Sequence, residues 1–187
     1  MQPLTPAESV AAPTIYVGDR ISLRPVTAAD YQLLFEWRLL GKRHFLSSDK
    51  STTTYPRFIE WFRTVHETGG AILVLDKNDL QPVGYGILYN ANLWDGWAYI
   101  ALFILPRFAY SRHFAEFVKF HSTFLFERHR FRKLYAEIYG DAERLLAHML
   151  NNGWVEESVR RGHYSDGEKL VDLHTLALYP PTTENDR

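Results

Sequence analysis

The sequence predicts one mixed α/β domain, a central sheet of about seven strands flanked by about four helices. Two observations carry this. Short apolar stretches of strand character alternate with stretches of helical period, and three strands follow one another before the longest helix, which a doubly wound parallel sheet does not do. A chain of 187 residues that is 46% hydrophobic and 15% aromatic is also long enough to bury a core of its own.

The first strand covers residues 20–24, where Ile21 and Leu23 alternate with polar neighbours until Pro25 stops the ladder. Thr27 is placed to cap a helix running through Leu40, with Leu33, Leu34 and Trp37 on its apolar side and Gly41 behind it. A second helix starts near Pro56, carries Phe58, Ile59, Phe62 and Val65 at helical spacing, and stops at Gly69-Gly70. Residues 71–75 form a short apolar strand, and Lys77-Asn78-Asp79 a turn. Strands at 83–89 and 97–105 flank a turn holding Asp95-Gly96. The run 97–105 is almost wholly apolar up to Pro106, as a central strand covered on both faces requires. Residues 111–129 make the longest helix, roughly 28 Å at 1.5 Å per residue. Phe114, Phe117, Val118, His121, Phe124 and Leu125 form its buried stripe. A fifth strand (133–139), a helix (141–152) closed by Gly153, and two strands (154–164 and 169–179) around a Ser165-Asp166-Gly167 turn complete the chain.

Several function classes are excluded or disfavoured. There are no cysteines, so disulfides, thiolate metal sites and cysteine nucleophiles are absent. A net charge of −1 and a sequence pI near 6.7 give no electrostatic footprint for nucleic acid. The opening MQPLTPAESVAAP lacks a basic start and an apolar run, so no secretory signal is expected and the protein is read as cytoplasmic. No stretch is apolar enough to span a membrane. Residues 1–14 are read as a flexible arm, 15–179 as the domain and 180–187 as a flexible tail. His113, His121 and His129 recur every eight residues, whereas helical metal pairs stand four apart, so no metal site is assigned. Arg128, Arg130, Arg132 and Lys133 read as a solvated helix end.

Five local features add a resemblance. Ile21-Ser22-Leu23-Arg24-Pro25 followed by Asp30, the pair Trp37-Arg38, Val83-Gly84 with its apolar continuation, Gly153-Trp154 after the fourth helix, and Asp172 in the last strand occur in this order from Ile21 to Tyr179. In that order they resemble the GNAT superfamily, in particular its RimJ/RimL-like branch of N-terminal acetyltransferases. The resemblance implies a mostly antiparallel sheet whose fourth and fifth strands splay apart. A pantetheine thioester would enter the gap, its amides pairing with backbone groups of Phe103, Ile104 and Leu105. One N–H there would polarise the thioester carbonyl. The loop 107–113, with Arg107, Ser111, Arg112 and His113, would meet phosphate at the helix N-terminus. The implied reaction is acyl transfer to a small-molecule or N-terminal amine.

The sequence departs from that family at the chemistry. Tyr110, Arg112 and Phe114 stand where the family's phosphate loop has glycines or an alanine, and side chains of that bulk crowd a backbone cradle. Either side chains replace the backbone contacts and the donor is acyl-CoA, or the donor is a phosphopantetheine thioester on a carrier protein in a biosynthetic pathway, which has one phosphate to hold. Tyr99 replaces a frequent Glu base, Met149 a Tyr acid and Ala142 an Asn. A catalytically silent binding module is thus the rival outside the enzymes. Candidate replacements are His174 and Asp172, two apart on the last strand and so on one face, together with Tyr99 and Asp95, and more distantly His163 and Tyr164. Tyr85, Tyr89, Trp94, Trp97 and Tyr99 would form an aromatic acceptor pocket, suited to a small planar or apolar amine.

Overall fold

A computed structural model describes residues 13–40, 54–67, 70–165 and 167–181. Most of the proposed arm and tail, Gly41, Gly69 and Asp166 lie outside the described residues. Eight strands form one sheet: β1 (Tyr16–Val17), β2 (Ile21–Pro25), β3 (Ile72–Asp76), β4 (Pro82–Asn92), β5 (Trp97–Ile104), β6 (Lys133–Tyr139), β7 (Val155–Ser165) and β8 (Leu170–Leu178). Their spatial order is β1-β2-β3-β4-β5-β6-β8-β7. Every adjacent pair is antiparallel except β5 with β6. The sequence reading lacked β1, whose two residues are too few to show a period-2 pattern; it pairs Tyr16 with Leu23.

Among the described residues four α-helices cover the two faces: α1 (Tyr31–Leu40), α2 (Tyr55–Glu67), α3 (Arg112–His129) and α4 (Glu143–Asn151). The helix expected from Thr27 begins instead as a 3₁₀ turn, Ala28–Asp30, and becomes α-helical at Tyr31. Asp30 organises this entry. Its carboxylate accepts both the backbone N–H and the hydroxyl of Thr27, at 2.7 and 2.9 Å. It also takes two bonds from the Arg24 guanidinium, at 2.8 and 2.6 Å. Ser111 caps α3 by accepting the His113 N–H at 3.1 Å, and Arg130 closes that helix in the left-handed region at φ 54°.

The alternation of each strand divides the core in two. Under α3 and α4 lie Leu23, Val74, Ala98, Ile100, Phe117, Leu125, Leu134, Ala136 and Leu176. Under α1 and α2 lie Leu34, Trp37, Phe58, Phe62, Leu73, Tyr85, Ile87 and Phe103. Two glycines of β4 are fixed by close approach. A Cβ on Gly84 would stand 2.4 Å from the Phe103 carbonyl oxygen, so β4 packs on β5 there only without a side chain. Gly86 gives room to the ring of His121, which is fully buried and pushed down to about 3 by that burial. It is a neutral packing residue of the α3 stripe. Among the described residues no helix is long and apolar enough to cross a membrane, and no group of three or more His, Asp or Glu is placed to hold a metal ion.

Candidate functional site

The central feature is a parting of two strands. β5 and β6 pair in parallel only from Trp97–Lys133 to Tyr99–Tyr135. Beyond that point each keeps its outer neighbour: β5 stays on β4 as far as Ile104 opposite Gly84, and β6 stays on β8 as far as Tyr139 opposite Leu173. The inner edges of β5 and β6 are therefore left to each other across a gap. The direction of the amides follows from one bond. Leu105 donates to the Val83 carbonyl at 2.8 Å, so its N–H faces β4. Backbone groups alternate in direction along a strand, so the N–H groups of Leu102 and Ile104 face the gap.

The gap opens into a cleft of about 590 Å³. Leu102, Phe114, Ala136, Ile138, Leu145 and Met149 line it on the side of α3 and α4. Ile87, Tyr89, Ala101 and Phe103 line it on the side of α1 and α2, where Arg38 lies 4.4 Å over the Trp61 ring. A channel through the sheet with apolar walls and inward amides suits a slender chain that carries amide groups, because each amide needs a partner once it leaves water.

At one end of the cleft the chain turns from β5 into α3. Tyr110 sits there at φ +58°, a conformation natural to glycine. Its ring lies under the Arg144 guanidinium, 4.6 Å from the centroid, so the loop is tied to the first turn of α4 across the mouth. The loop cations do not converge. Arg107 packs on the neighbouring Phe108 ring, and His113 Nε2 lies 3.4 Å from Asp76 Oδ2, away from the cleft. Arg112 lines a separate hollow along α3 with Glu116 and Lys119. Phe114 forms cleft wall and is 6% exposed.

The aromatic candidates separate. Tyr89 and Tyr99 are 5.6 Å apart, and Tyr99 stacks on Tyr135 at 5.0 Å with Trp97 edge-on to both. Tyr85 is 1% exposed and packs between Trp37 and Phe103, so it belongs to the core. Trp94, 96% exposed, stands out from the β4–β5 turn and does not line the cleft. Burial, then the charge of Glu137, raises the phenols of Tyr89 and Tyr99 above the ordinary tyrosine range. Burial, then Tyr164 and Glu137, pushes Tyr139 up to about 12. All three stay protonated at neutral pH and act as hydrogen-bond donors, not bases.

The acid–base candidates lie elsewhere. His174 pairs with Ile138, and Ile138 belongs to the core under α3 and α4, so His174 and Asp172 share the face opposite Tyr99. Neither lines the cleft. His174 Nδ1 is 2.6 Å from Glu156. Asp172 accepts the Gly162 N–H and an Arg161 bond, which hold it below the usual carboxylate range. Asp95 shapes the β4–β5 turn by bonding Asn92, and His163 is exposed on β7. His174→Ala is accordingly expected to leave turnover unchanged, read as kcat/KM for any amine the protein acylates. The residue the sequence reading missed is Glu137, the one carboxylate that lines the cleft among the described residues. Its signal was present: it is the single acid within an otherwise uncharged stretch of β6, residues 134–139.

No protein-family model matches this sequence, and no curated protein matches it. Solved structures match it in fold. Spermidine N-acetyltransferase from Vibrio cholerae, in complex with CoA and spermine, aligns with a TM-score of 0.74 at 13% identity over 85% of this chain and 95% of that chain. Ribosomal-protein-S5-alanine acetyltransferase from Vibrio fischeri aligns with a TM-score of 0.70 at 12% identity, over 88% and 95%. The chain therefore shares the fold of these acetyltransferases, the GNAT fold.

Proposed function

We propose that the protein is an N-acyltransferase that moves an acyl group from a pantetheine thioester to an amine. The observation that carries the reading is the gap between β5 and β6, with the N–H groups of Leu102 and Ile104 turned into it. The Vibrio cholerae structure, of the same fold, was solved with CoA. The chain's own contributions are positional. The two amides on β5 pair with the donor arm as a neighbouring strand would, and the N–H nearest the thioester stabilises the charge that builds on its oxygen. Leu102, Ile138 and Met149 exclude water from the acyl group. Tyr89 and Tyr99, kept protonated, flank the path of the incoming amine on the opposite side of the sheet from α3. Tyr99→Ala is expected to raise the acceptor's KM several-fold with little change in donor affinity; an unmoved KM would take Tyr99 out of the acceptor site.

Free acyl-CoA is the donor we favour. A carrier-bound phosphopantetheine is the second reading, supported by Tyr110, which fills a glycine-like position and is locked against Arg144. The two separate by calorimetry. Micromolar binding of acetyl-CoA is expected. Binding of an acetyl-phosphopantetheine thioester without binding of acetyl-CoA would favour the carrier. A screen of both donors against amine mixtures, read by mass spectrometry, tests the activity itself, and no product with either donor would favour a silent module.

A further inference from the structure

Two charged residues line the cleft among those described, Arg38 and Glu137. Glu137 stands two residues after Tyr135 on β6, so it projects to the face on which Tyr135 stacks against Tyr99. Arg160, on edge strand β7, reaches across the intervening β8 to ion-pair with it. The Glu137 side chain keeps 22% of its surface exposed, so it remains open to a ligand entering the cleft. The groups that feel its charge are Tyr89 from β4, Tyr99 from β5, Tyr139 from its own strand and Arg160 from β7. Of these only Arg160 is charged at neutral pH. A carboxylate held in this way beside an aromatic wall is chemistry suited to one ammonium group on an apolar body.

We propose that Glu137 receives the acceptor as a mono-ammonium ion with a flat or apolar body and takes its first proton as the amide forms, with Arg160 as the positioning residue. This rests on the transferase reading and adds to it the group and the class of amine. The R–NH₃⁺ group gives one proton to the Glu137 carboxylate. Its nitrogen then bonds to the thioester carbon while the C–S bond breaks. The second proton leaves nitrogen and ends on the departing thiolate, which is released as a neutral thiol. Glu137 returns its proton to water. No other side chain is required to protonate the sulfur, which accords with Met149 in the cleft wall. Among the described residues a second ammonium on the acceptor would meet no second carboxylate in the cleft, whose other charged lining residue is Arg38. The site is therefore selective against polyamines.

The test uses the full chain, with 2-phenylethylamine and spermidine as probes and acetyl-CoA titrated separately. Calorimetry is expected to show 2-phenylethylamine binding at least about tenfold tighter than spermidine. Glu137→Gln should weaken 2-phenylethylamine binding about tenfold or more, and Glu137→Asp should recover part of it. Arg160→Met should lower kcat more than it raises the amine KM, since it misdirects a carboxylate that is still present. Acetyl-CoA affinity should be equal in all of these, which also shows that they fold. Equal amine binding by wild type and Glu137→Gln, or spermidine binding as tightly as 2-phenylethylamine, or no 2-phenylethylamine binding at all, would overturn the inference. Wild-type protein that binds neither acetyl-CoA nor an acyl-phosphopantetheine would instead defeat the transferase reading, and the proton-transfer role with it. The amine-binding half would still stand or fall on the Gln variant.

Discussion

Ile104→Pro is expected to abolish acyl transfer while leaving the sheet in place. The substitution deletes one backbone donor, and the position decides what that donor does. Leu105 bonds back to Val83, so the Ile104 N–H points away from β4 and into the gap. Proline there breaks no ladder bond. Ile104 is the last residue of β5, and the residue before it is extended, as a proline demands of its predecessor. If this amide stabilises the developing oxyanion, its loss costs about 10²–10³ in kcat. The measurement is turnover with acetyl-CoA, beside a thermal melt to show that the fold persists. Phe103→Pro is the contrast, because that N–H faces β4 and its loss strikes the β4–β5 ladder, so the melt itself should fall. Ile104→Val keeps the donor and should keep most of the activity. Turnover by Ile104→Pro near the wild-type rate would remove the backbone amide from the mechanism.

The same gap explains what could be read from the sequence and what could not. The strand and helix periods are local properties, and β2 through β8 and all four helices stand within a few residues of where those periods put them. A resemblance carried by short motifs implied the parting of the strands ending near Ile104 and Tyr139. Which face a strand residue occupies is a different kind of fact. That His174 and Asp172 share a face follows from their spacing. That this face is the one under α3 and α4 follows from the pairing of His174 with Ile138, two residues 36 positions apart. Nothing within either strand encodes that pairing. Glu137 was overlooked for the same reason, since its meaning depends on lying beside a gap. Trp94 and Tyr85 failed in opposite ways. One stands clear of the fold and the other is sealed within it, and aromatic character alone does not distinguish the two. Tyr110 is the reverse case. Its oddness in a glycine position was readable in the sequence, and the left-handed backbone at that residue supplies the physical reason a glycine would have been natural.

The largest loss of stability is expected from Asp30→Ala. The carboxylate is 7% exposed and serves three groups: the Arg24 guanidinium, the Thr27 hydroxyl and the Thr27 N–H at the entry to α1. Removing it leaves Arg24, only 16% exposed at its side chain, without its acid. Breaking a buried pair from one side costs about 3 kcal/mol or more. For a chain of this size that is a fall of roughly 6–12 °C in Tm. Protonation gives an independent handle. Burial alone would raise the Asp30 carboxyl, but the bonds from Arg24 and Thr27 outweigh it and hold it below the usual range. A group lowered on folding contributes stability that is complete above its unfolded value near 4 and is lost as pH falls through its folded value. The gap in Tm between wild type and Asp30→Ala should therefore be widest at neutral pH and close as the solution is taken down through and below the ordinary aspartate range. A gap that does not narrow in acid would mean that packing, not charge, holds this corner. The consequence for the site is direct, because α1 begins at this corner and carries Arg38 into the cleft wall. A partly frayed entry should loosen the acceptor side before it reaches the amides of β5, so Asp30→Asn at a temperature below its transition should raise the amine KM while acetyl-CoA affinity holds.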